Sequence, residues 1–412
     1  MSMQTTFNNL GLHNWRQFES VEISFDKQVT VLTGQNSSGK TTLLNILGRH
    51  FGWNISLIST QYLSKKRKKR FWSDFSLSDI LKKPDFDLDD DKNETINVGS
   101  IEYSNNQICT LDTPTYVSSL YQLSLKNQQS VIGLHIPSHR PAISYYKIQQ
   151  IPTEPKDVQT LYQQFQQLLF ETFGSQNIRN PGIVLKESLI SLALFGYGNE
   201  AVLPNDEYRK LFIDFQDILR KVLPSSLGFE RLEIRMPDVI LITNSGQFSL
   251  DAMSGGINDI FAMAWQIHMY GANKESCTVL IDEPENHLHP SLQRSILPSL
   301  AKAFPNYKFV IATHSPFIVS SMPEAKVYGL LYNENNKIIS VEIGGADLSG
   351  TPNKILRDIL DVPSNIPIWV EDKIKQVLVS VEELGGEEKA KKIMDELDKL
   401  GLSDHITDIK ID

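Results

Sequence analysis

Along this chain, short runs of consecutive apolar residues alternate with longer stretches whose apolar residues recur every three to four positions. Val29-Thr30-Val31-Leu32, residues 131–136, Val279-Leu280-Ile281 and Phe309-Val310-Ile311-Ala312 are the short runs, and they predict buried strands. Leu43, Leu44, Ile46 and Leu47 follow the first run at helical spacing, and Ile260, Phe261, Met263, Ala264 and Ile267 form a second helical pattern. Residues 155–222 predict further helices. Leu161, Phe165, Leu168, Leu169 and Phe173 make one apolar face; Leu211, Phe212, Phe215, Ile218 and Leu219 make another. Gln159, Gln163, Gln164, Gln166 and Gln167 supply a polar face. Residues 228–250 return as strands. A strand pair over 96–103 and 108–111 turns at Ser104-Asn105-Asn106-Gln107. The tail predicts two amphipathic helices, one over about 367–384 ending at Gly385-Gly386, the other over about 387–400 ending at Gly401. Ala390, Ile393, Met394, Leu397 and Leu400 share a face of the second.

The first strand and the first helix are joined by Gly34-Gln35-Asn36-Ser37-Ser38-Gly39-Lys40-Thr41-Thr42, a complete G-x-x-x-x-G-K-S/T phosphate loop. Successive backbone N–H groups of such a loop curl around a phosphate, and the helix N-terminus adds partial positive charge. Lys40 then reaches the β- and γ-phosphates of ATP, and Thr41 offers its hydroxyl to Mg²⁺.

Three further patterns follow. Met253-Ser254-Gly255-Gly256 opens a helix 28 residues before Asp282 and makes a second anion-binding N-terminus. The strand Thr278-Val279-Leu280-Ile281 ends in Asp282-Glu283-Pro284. Asp282 suits Mg²⁺ coordination, and Glu283, pointing another way, suits polarisation of an attacking water. The strand over 309–312 delivers His314 near its C-terminal end, the edge at which open α/β sheets bind ligands. From there His314 can hydrogen-bond a γ-phosphate or hold the water.

Composition excludes several other classes. The 412 residues are 41% hydrophobic and 22% charged, which is globular rather than disordered. Two distant cysteines, Cys109 and Cys277, make neither a disulfide framework nor a zinc pattern, so a reducing cytoplasmic setting is expected. The N-terminus carries no signal-peptide pattern, and no apolar run approaches the roughly 20 residues of a membrane span. A net charge of −9 argues against a generally basic nucleic-acid coat but leaves room for a local basic groove.

The four motifs, in this order, resemble the ATP-binding-cassette ATPase superfamily. Asp282-Glu283-Pro284-Glu285-Asn286-His287-Leu288-His289-Pro290 and Ala312-Thr313-His314-Ser315-Pro316 resemble its non-transporter branch of RecF, SMC and OLD-type ATPases. Also similar are the related ATPases of bacterial anti-phage systems such as Septu and PARIS. Residues 10–18, at the start of a β-lobe, resemble the same branch. The resemblance covers residues 3–54 and 228–345 and implies a fold class: an α/β P-loop NTPase of ABC type with an N-terminal antiparallel β-lobe, a helical lobe and a C-terminal helical extension. It further implies that ATP is sandwiched between two copies, residues 34–42 of one facing Ser254, Gly255 and Gly256 of the other. There are departures. Met253 replaces the leucine before the signature, Ile257 the glutamine of transporters, and His289-Pro290 stands where transporters carry an aspartate. These weigh against a transporter subunit. The middle-chain glutamine that touches Mg²⁺ in the superfamily has only poor candidates here, Gln149 and Gln150.

The expected organisation is residues 1–154 as the first part of the core, with 55–130 interrupting it, then a helical lobe over 155–227, a second core part over 228–345 and an extension over 346–412. The interrupting segment holds Lys65-Lys66-Arg67-Lys68-Lys69-Arg70 and then Asp85, Asp87, Asp89, Asp90 and Asp91. The basic run could track a nucleic-acid backbone, pair with the aspartates or lie solvated. Arg140, in a proline-bounded turn, is either a phosphate or nucleic-acid contact or a structural arginine. His287 and His289 are assigned to packing at a helix start and to dimer contact rather than to a metal. Trp369-Val370-Glu371-Asp372 suggests a Toprim nuclease, but about 40 residues follow Glu371 and no Asp-x-Asp pair is present, so no nuclease centre is expected. The functional expectation is an Mg-ATP-hydrolysing sensor or regulatory subunit of an anti-phage complex, controlling a separate nuclease or toxin. The alternative is a RecF/SMC-like repair ATPase that binds DNA directly.

Overall fold

A computed structural model describes residues 4–63, 70–73, 95–114, 118–140, 145–149, 157–172 and 180–348, with shorter stretches between 350 and 401. The chain divides into two compact units, residues 1–348 and 349–412.

An 11-stranded mixed sheet organises the first unit. Its parallel half runs, side by side, Lys326–Tyr332, Val29–Gly34, Tyr307–Ala312, Cys277–Asp282 and Gly133–Ile136. Every residue of Val29–Gly34 and of Cys277–Asp282 is buried, as expected of strands covered on both faces. This is why those stretches are apolar at consecutive positions rather than at alternate ones. The other half continues through Ile338–Ile343, Phe18–Ser24, Phe7–Trp15, Thr95–Tyr103, Ile108–Pro114 and Ser124–Lys126. There, alternation returns: over Ser20–Ser24, Val21 and Ile23 are buried while Ser20 and Glu22 are exposed and Ser24 is half-buried.

Helices Val158–Thr172, Gly182–Tyr197 and Asp206–Val222 pack with helix Gly255–Gly271. Asn205 caps the third through a hydrogen bond from the Tyr208 N–H, and Asp206 and Glu207 fill its first turn. Leu211, Phe212, Phe215, Ile218 and Leu219 are all buried. A separate sheet, Phe229–Arg235, Asp238–Thr243 and Gly246–Ser249, leads into the signature helix Gly255–Gly271. Lys186 locks this assembly. Its side chain is 1% exposed, and Nζ donates to Asp238 Oδ1 and Asp251 Oδ2, each at 2.6 Å, and to the Tyr146 carbonyl at 2.9 Å. Removing Asp251, the buried partner, would strand a desolvated ammonium at a cost of about 3–5 kcal/mol.

Within the segment 55–130, two long strands join the main sheet. Strand Thr95–Tyr103 pairs with Phe7–Trp15 and Ile108–Pro114 with Thr95–Tyr103, so the hairpin extends the main sheet. Val98, Ile101, Tyr103, Cys109 and Leu111 carry its apolar face into the common core. The charged stretches 65–69 and 85–91 lie outside the described residues. In the second unit, helices Pro352–Asp358 and Gly386–Lys399 are described, the latter ending before a left-handed Gly401. Apart from Trp369, Asp372 and Gln376, the helix expected over 367–384 lies outside the described residues. Among the described residues, no helix is long and apolar enough to cross a membrane, and both cysteines are buried and free.

Three histidines, His135 and His268 buried and His50 half-buried, should make the fold acid-sensitive. Burial pushes His50, His135 and His268 down to about 4. A depressed basic group stays neutral in the fold while the unfolded chain takes up its proton near 6.5. Stability is therefore full above about pH 6.5 and drains away as pH falls towards 4, by up to about 3 kcal/mol for each histidine. Thermal melts should drop steeply between about pH 6.5 and 4.5. His135→Leu should flatten part of that loss, since neither ring nitrogen of His135 has a hydrogen-bond partner among the described residues. Superimposable melts at about pH 5 and 7 would refute the argument.

Candidate functional site

Strand Val29–Gly34 delivers a loop onto helix Lys40–Gly48 at the C-terminal edge of the parallel strands. Gly34 has φ +144°, and a Cβ there would lie 2.5 Å from the Leu330 carbonyl oxygen, so only glycine fits. Ser37 also takes a left-handed conformation, and Gln17 Nε2 donates to its carbonyl at 3.2 Å. Gly39 begins the helix without a side-chain cap, and the first turn carries no acidic residue, which leaves the helix N-terminus open to an anion. Asn36, Ser37 and Thr41 are exposed, Thr42 is half-buried and Ser38 is buried.

Lys40 folds back over its own loop. Nζ donates to the Gly34 and Gln35 carbonyls at 3.0 and 2.9 Å and to Ser38 Oγ at 3.4 Å. Burial pushes its pKa down to about 8, against the pull of the Asp282, Glu283 and Glu285 carboxylates. Thr41 Oγ1 donates to Asp282 Oδ2 at 2.9 Å, across 241 positions of sequence. Burial raises Asp282 to about 6, with the Thr41 bond opposing and the Glu283 charge adding. One hydroxyl and one carboxylate beside the phosphate cradle are hard oxygen donors of the kind Mg²⁺ takes alongside water and nucleotide phosphates. The residues present therefore fit both ATP and Mg²⁺.

Glu283 takes a left-handed backbone, φ +48°, a conformation that costs a non-glycine residue about 1–3 kcal/mol. It is over-determined: its N–H donates to the Ala312 carbonyl at 2.8 Å, and its own carbonyl accepts the Asn286 N–H at 3.2 Å. Asn286 Nδ2 donates to Glu283 Oε2 at 3.2 Å, and Glu283 Oε1 lies 3.8 Å from His314 Nε2. Glu283 and His314 are each about one-third exposed, so both face an accessible space. Burial depresses the His314 pKa, with the Lys40 charge adding to the effect and Glu283 opposing it.

The structure thus gathers the loop 34–42, Asp282, Glu283 and His314 at one sheet edge. The signature residues lie apart. Ser254 begins helix Gly255–Gly271 without using its hydroxyl as a cap, and Ser254 and Gly255 are exposed. Gly256 is buried against the segment after the carboxylates, where a Cβ would come within 2.6 Å of the His287 carbonyl oxygen. Among the described residues, no hydrogen bond joins these three to the phosphate loop of their own chain.

Of its two expected roles Arg140 takes the structural one. Arg140 is not exposed to a phosphate or a nucleic acid. Its side chain is 6% exposed, and Nη2 donates to the Asp282 and Glu283 carbonyls at 2.7 and 3.0 Å. Desolvation confines this arginine to structural partners. His289 does sit at a helix start, where Nδ1 accepts from the Ser291 N–H, but His287 is exposed and its Nδ1 meets the buried Asp259 Oδ2 at 2.8 Å. Gln149 is exposed, and Gln150 lies outside the described residues.

Sequence reasoning missed Glu285. Its Oε1 accepts from both Thr313 Oγ1 and the His314 N–H at 2.7 Å, tying the acidic strand end to the histidine loop. Burial raises its pKa. The signal was available in Asp-Glu-Pro-Glu, since a third carboxylate so near two functional ones needs its own partner.

A strand–loop–helix phosphate cradle, closed by a strand that ends in acid, defines a P-loop nucleotide-binding protein. The AAA ATPase domain family matches residues 7–319, and the chain belongs to it. The chain is 23% identical over 385 residues to the retron Vc95 probable ATPase of Vibrio cholerae, covering 77% of this chain and 72% of that one. It is 30% identical over 185 residues to the retron Ec83 probable ATPase of Escherichia coli, covering 42% of this chain but only 32% of that protein. To the Septu protein PtuA of Bacillus mycoides it is 34% identical over 93 residues, covering 21% of this chain and 13% of PtuA.

Proposed function

We propose that this protein hydrolyses Mg-ATP with water and, as the ATPase subunit of a bacterial anti-phage system, controls a separate nuclease or toxin. The observation that carries the hydrolytic part is the 2.9 Å bond from Thr41 to Asp282 at the mouth of the loop, with Glu283 beside it. In this reading Lys40 leaves the Gly34 and Gln35 carbonyls for the β- and γ-phosphates, and the amides of residues 36–42 cradle them. Thr41 and Asp282 would hold Mg²⁺. When bound, the ion neutralises developing charge on the phosphate oxygens. Glu283 Oε1 accepts a proton from the attacking water, and His314 orients that water or contacts the γ-phosphate. The open hydroxyl of Ser254 and the helix start at Gly255 and Gly256 serve the nucleotide of a second copy, which makes the working unit at least a dimer of ABC-type heads.

The effector role draws on the retron and Septu relatives and on the motif resemblance to anti-phage ATPases. A tagged Glu283→Gln protein, held with Mg-ATP in its native cell and analysed by mass spectrometry, tests it. A nuclease or toxin-like protein recovered in stoichiometric amount is the expected result. Recovery of DNA with recombination proteins, and of no such effector, would overturn it in favour of the repair ATPase.

A further inference from the structure

We propose that Arg140 is a positioning residue: its buried guanidinium sets the backbone of the Asp282–Glu283 pair and links that pair to Asp259 on the signature helix. The inference rests on the ATPase reading above.

Strand Cys277–Asp282 ends at Asp282, and past it the sheet ladder stops, leaving the Glu283 carbonyl to the Asn286 N–H at 3.2 Å and to side-chain donors. Arg140 Nη2 carries two hydrogens and spends them on the Asp282 and Glu283 carbonyls, at 2.7 and 3.0 Å. Charge-assisted bonds of this length, shielded from water, hold a backbone more firmly than neutral ones. They act where the chain needs holding, because Glu283 sits in a left-handed conformation that aims its carboxylate at His314. The same turn braces the carboxylate a second way: Asn286 Nδ2, which donates to Glu283 Oε2, also donates to the Ser138 carbonyl at 3.0 Å.

The other end of the guanidinium points away from the reaction. Arg140 Nη1 stands 4.0 Å from Asp259 Oδ2, and the two side chains are 6% and 5% exposed. Asp259 lies in the signature helix, five residues after Ser254, and its Oδ2 already meets His287 Nδ1 at 2.8 Å. A helix shift of about 1 Å would bring Nη1 within hydrogen-bond distance. The carboxylate then stands between the imidazole of exposed His287, whose backbone packs on Gly256, and the buried arginine that holds Glu283. Movement of the signature helix thereby reaches the hydrolytic carboxylate of the same chain. Arginine is required because an ammonium cannot place separate nitrogens on the carbonyls and on Asp259 at once.

Mg-ATP turnover measured over a range of ATP concentrations tests this. Arg140→Met should lower kcat by about 10–100-fold, the usual cost of removing a supporting group, while KM stays within about threefold. Arg140→Lys should recover part of kcat, and Asp259→Asn should lower kcat by less than Arg140→Met with KM unchanged. Wild-type kcat in Arg140→Met overturns the proposal. A loss confined to KM also overturns it, by making Arg140 a nucleotide contact. Should Arg140→Met fail to fold, the two conservative variants decide, and wild-type kcat in both overturns the assignment. Absence of turnover in the wild-type protein removes the ATPase reading itself and this inference with it, a result distinct from an active wild type whose Arg140 variants are unaffected.

Discussion

Glu283→Gln protein should still take up Mg-ATP while turning it over about 10²–10⁴-fold more slowly than the wild type, the usual cost of losing a general base. Glutamine keeps the size of the side chain, and its amide oxygen can still accept from Asn286 Nδ2, so the left-handed turn need not rearrange. What it loses is the ability to take a proton at the oxygen facing His314, 3.8 Å away. Nucleotide retention on a filter and single-turnover phosphate release would separate binding from chemistry. Near-wild-type release would exclude Glu283 as the base. The alternative carboxylate, Glu285, is a poor substitute, because one of its oxygens is committed to Thr313 and to the His314 N–H.

Asp282→Asn should make the nucleotide-free protein more stable at about pH 8 and, at the same time, cost it Mg-ATP. The fold raises Asp282 from 3.8 to about 6, so it binds that proton more tightly than the unfolded chain does. The penalty is absent below about 3.8, grows between 3.8 and 6, and is complete above. At neutral pH it is on the order of 3 kcal/mol, and a neutral asparagine escapes it. Asparagine can still accept the Thr41 hydroxyl, so the contact survives. Saturating Mg-ATP stabilises a protein that binds it in the folded state, by about 2.7 kcal/mol at a hundredfold excess over Kd. Addition of Mg-ATP should therefore reverse the order of melting temperatures, lifting the wild type and leaving the variant. An Asp282→Asn protein that melts below the wild type without nucleotide would show that burial of this carboxylate is not the destabilising feature described.

Local chemistry was legible in the sequence because it is contiguous. The loop 34–42 announces itself through glycines at the turns and a lysine at the helix start. The apolar runs before Gly34, Asp282 and His314 announce strands buried on both faces. The helical faces around Phe215 and Phe261 follow from their spacing alone, and those two rings meet edge to face with centroids 5.2 Å apart. The hairpin 95–114 showed its turn in sequence but not its place. An alternating strand pair is compatible with a separate lobe or with a larger sheet, and only the match of its apolar face to Phe7 and Leu10 decides.

By itself, then, the sequence determined the phosphate loop, the acidic strand end, the histidine after a parallel strand and the order in which they come. Tertiary structure alone decided which of them touch. Thr41 and Asp282 meet across 241 residues because the strand order brings Val29–Gly34 and Cys277–Asp282 to either side of Tyr307–Ala312. It also turned Arg140 inward and gave Asp259 and Glu285 their partners. The physical reason is that a charged side chain looks the same in sequence whether solvated or buried. Its role is set by desolvation and by the groups that compensate it, and these come from distant parts of the chain.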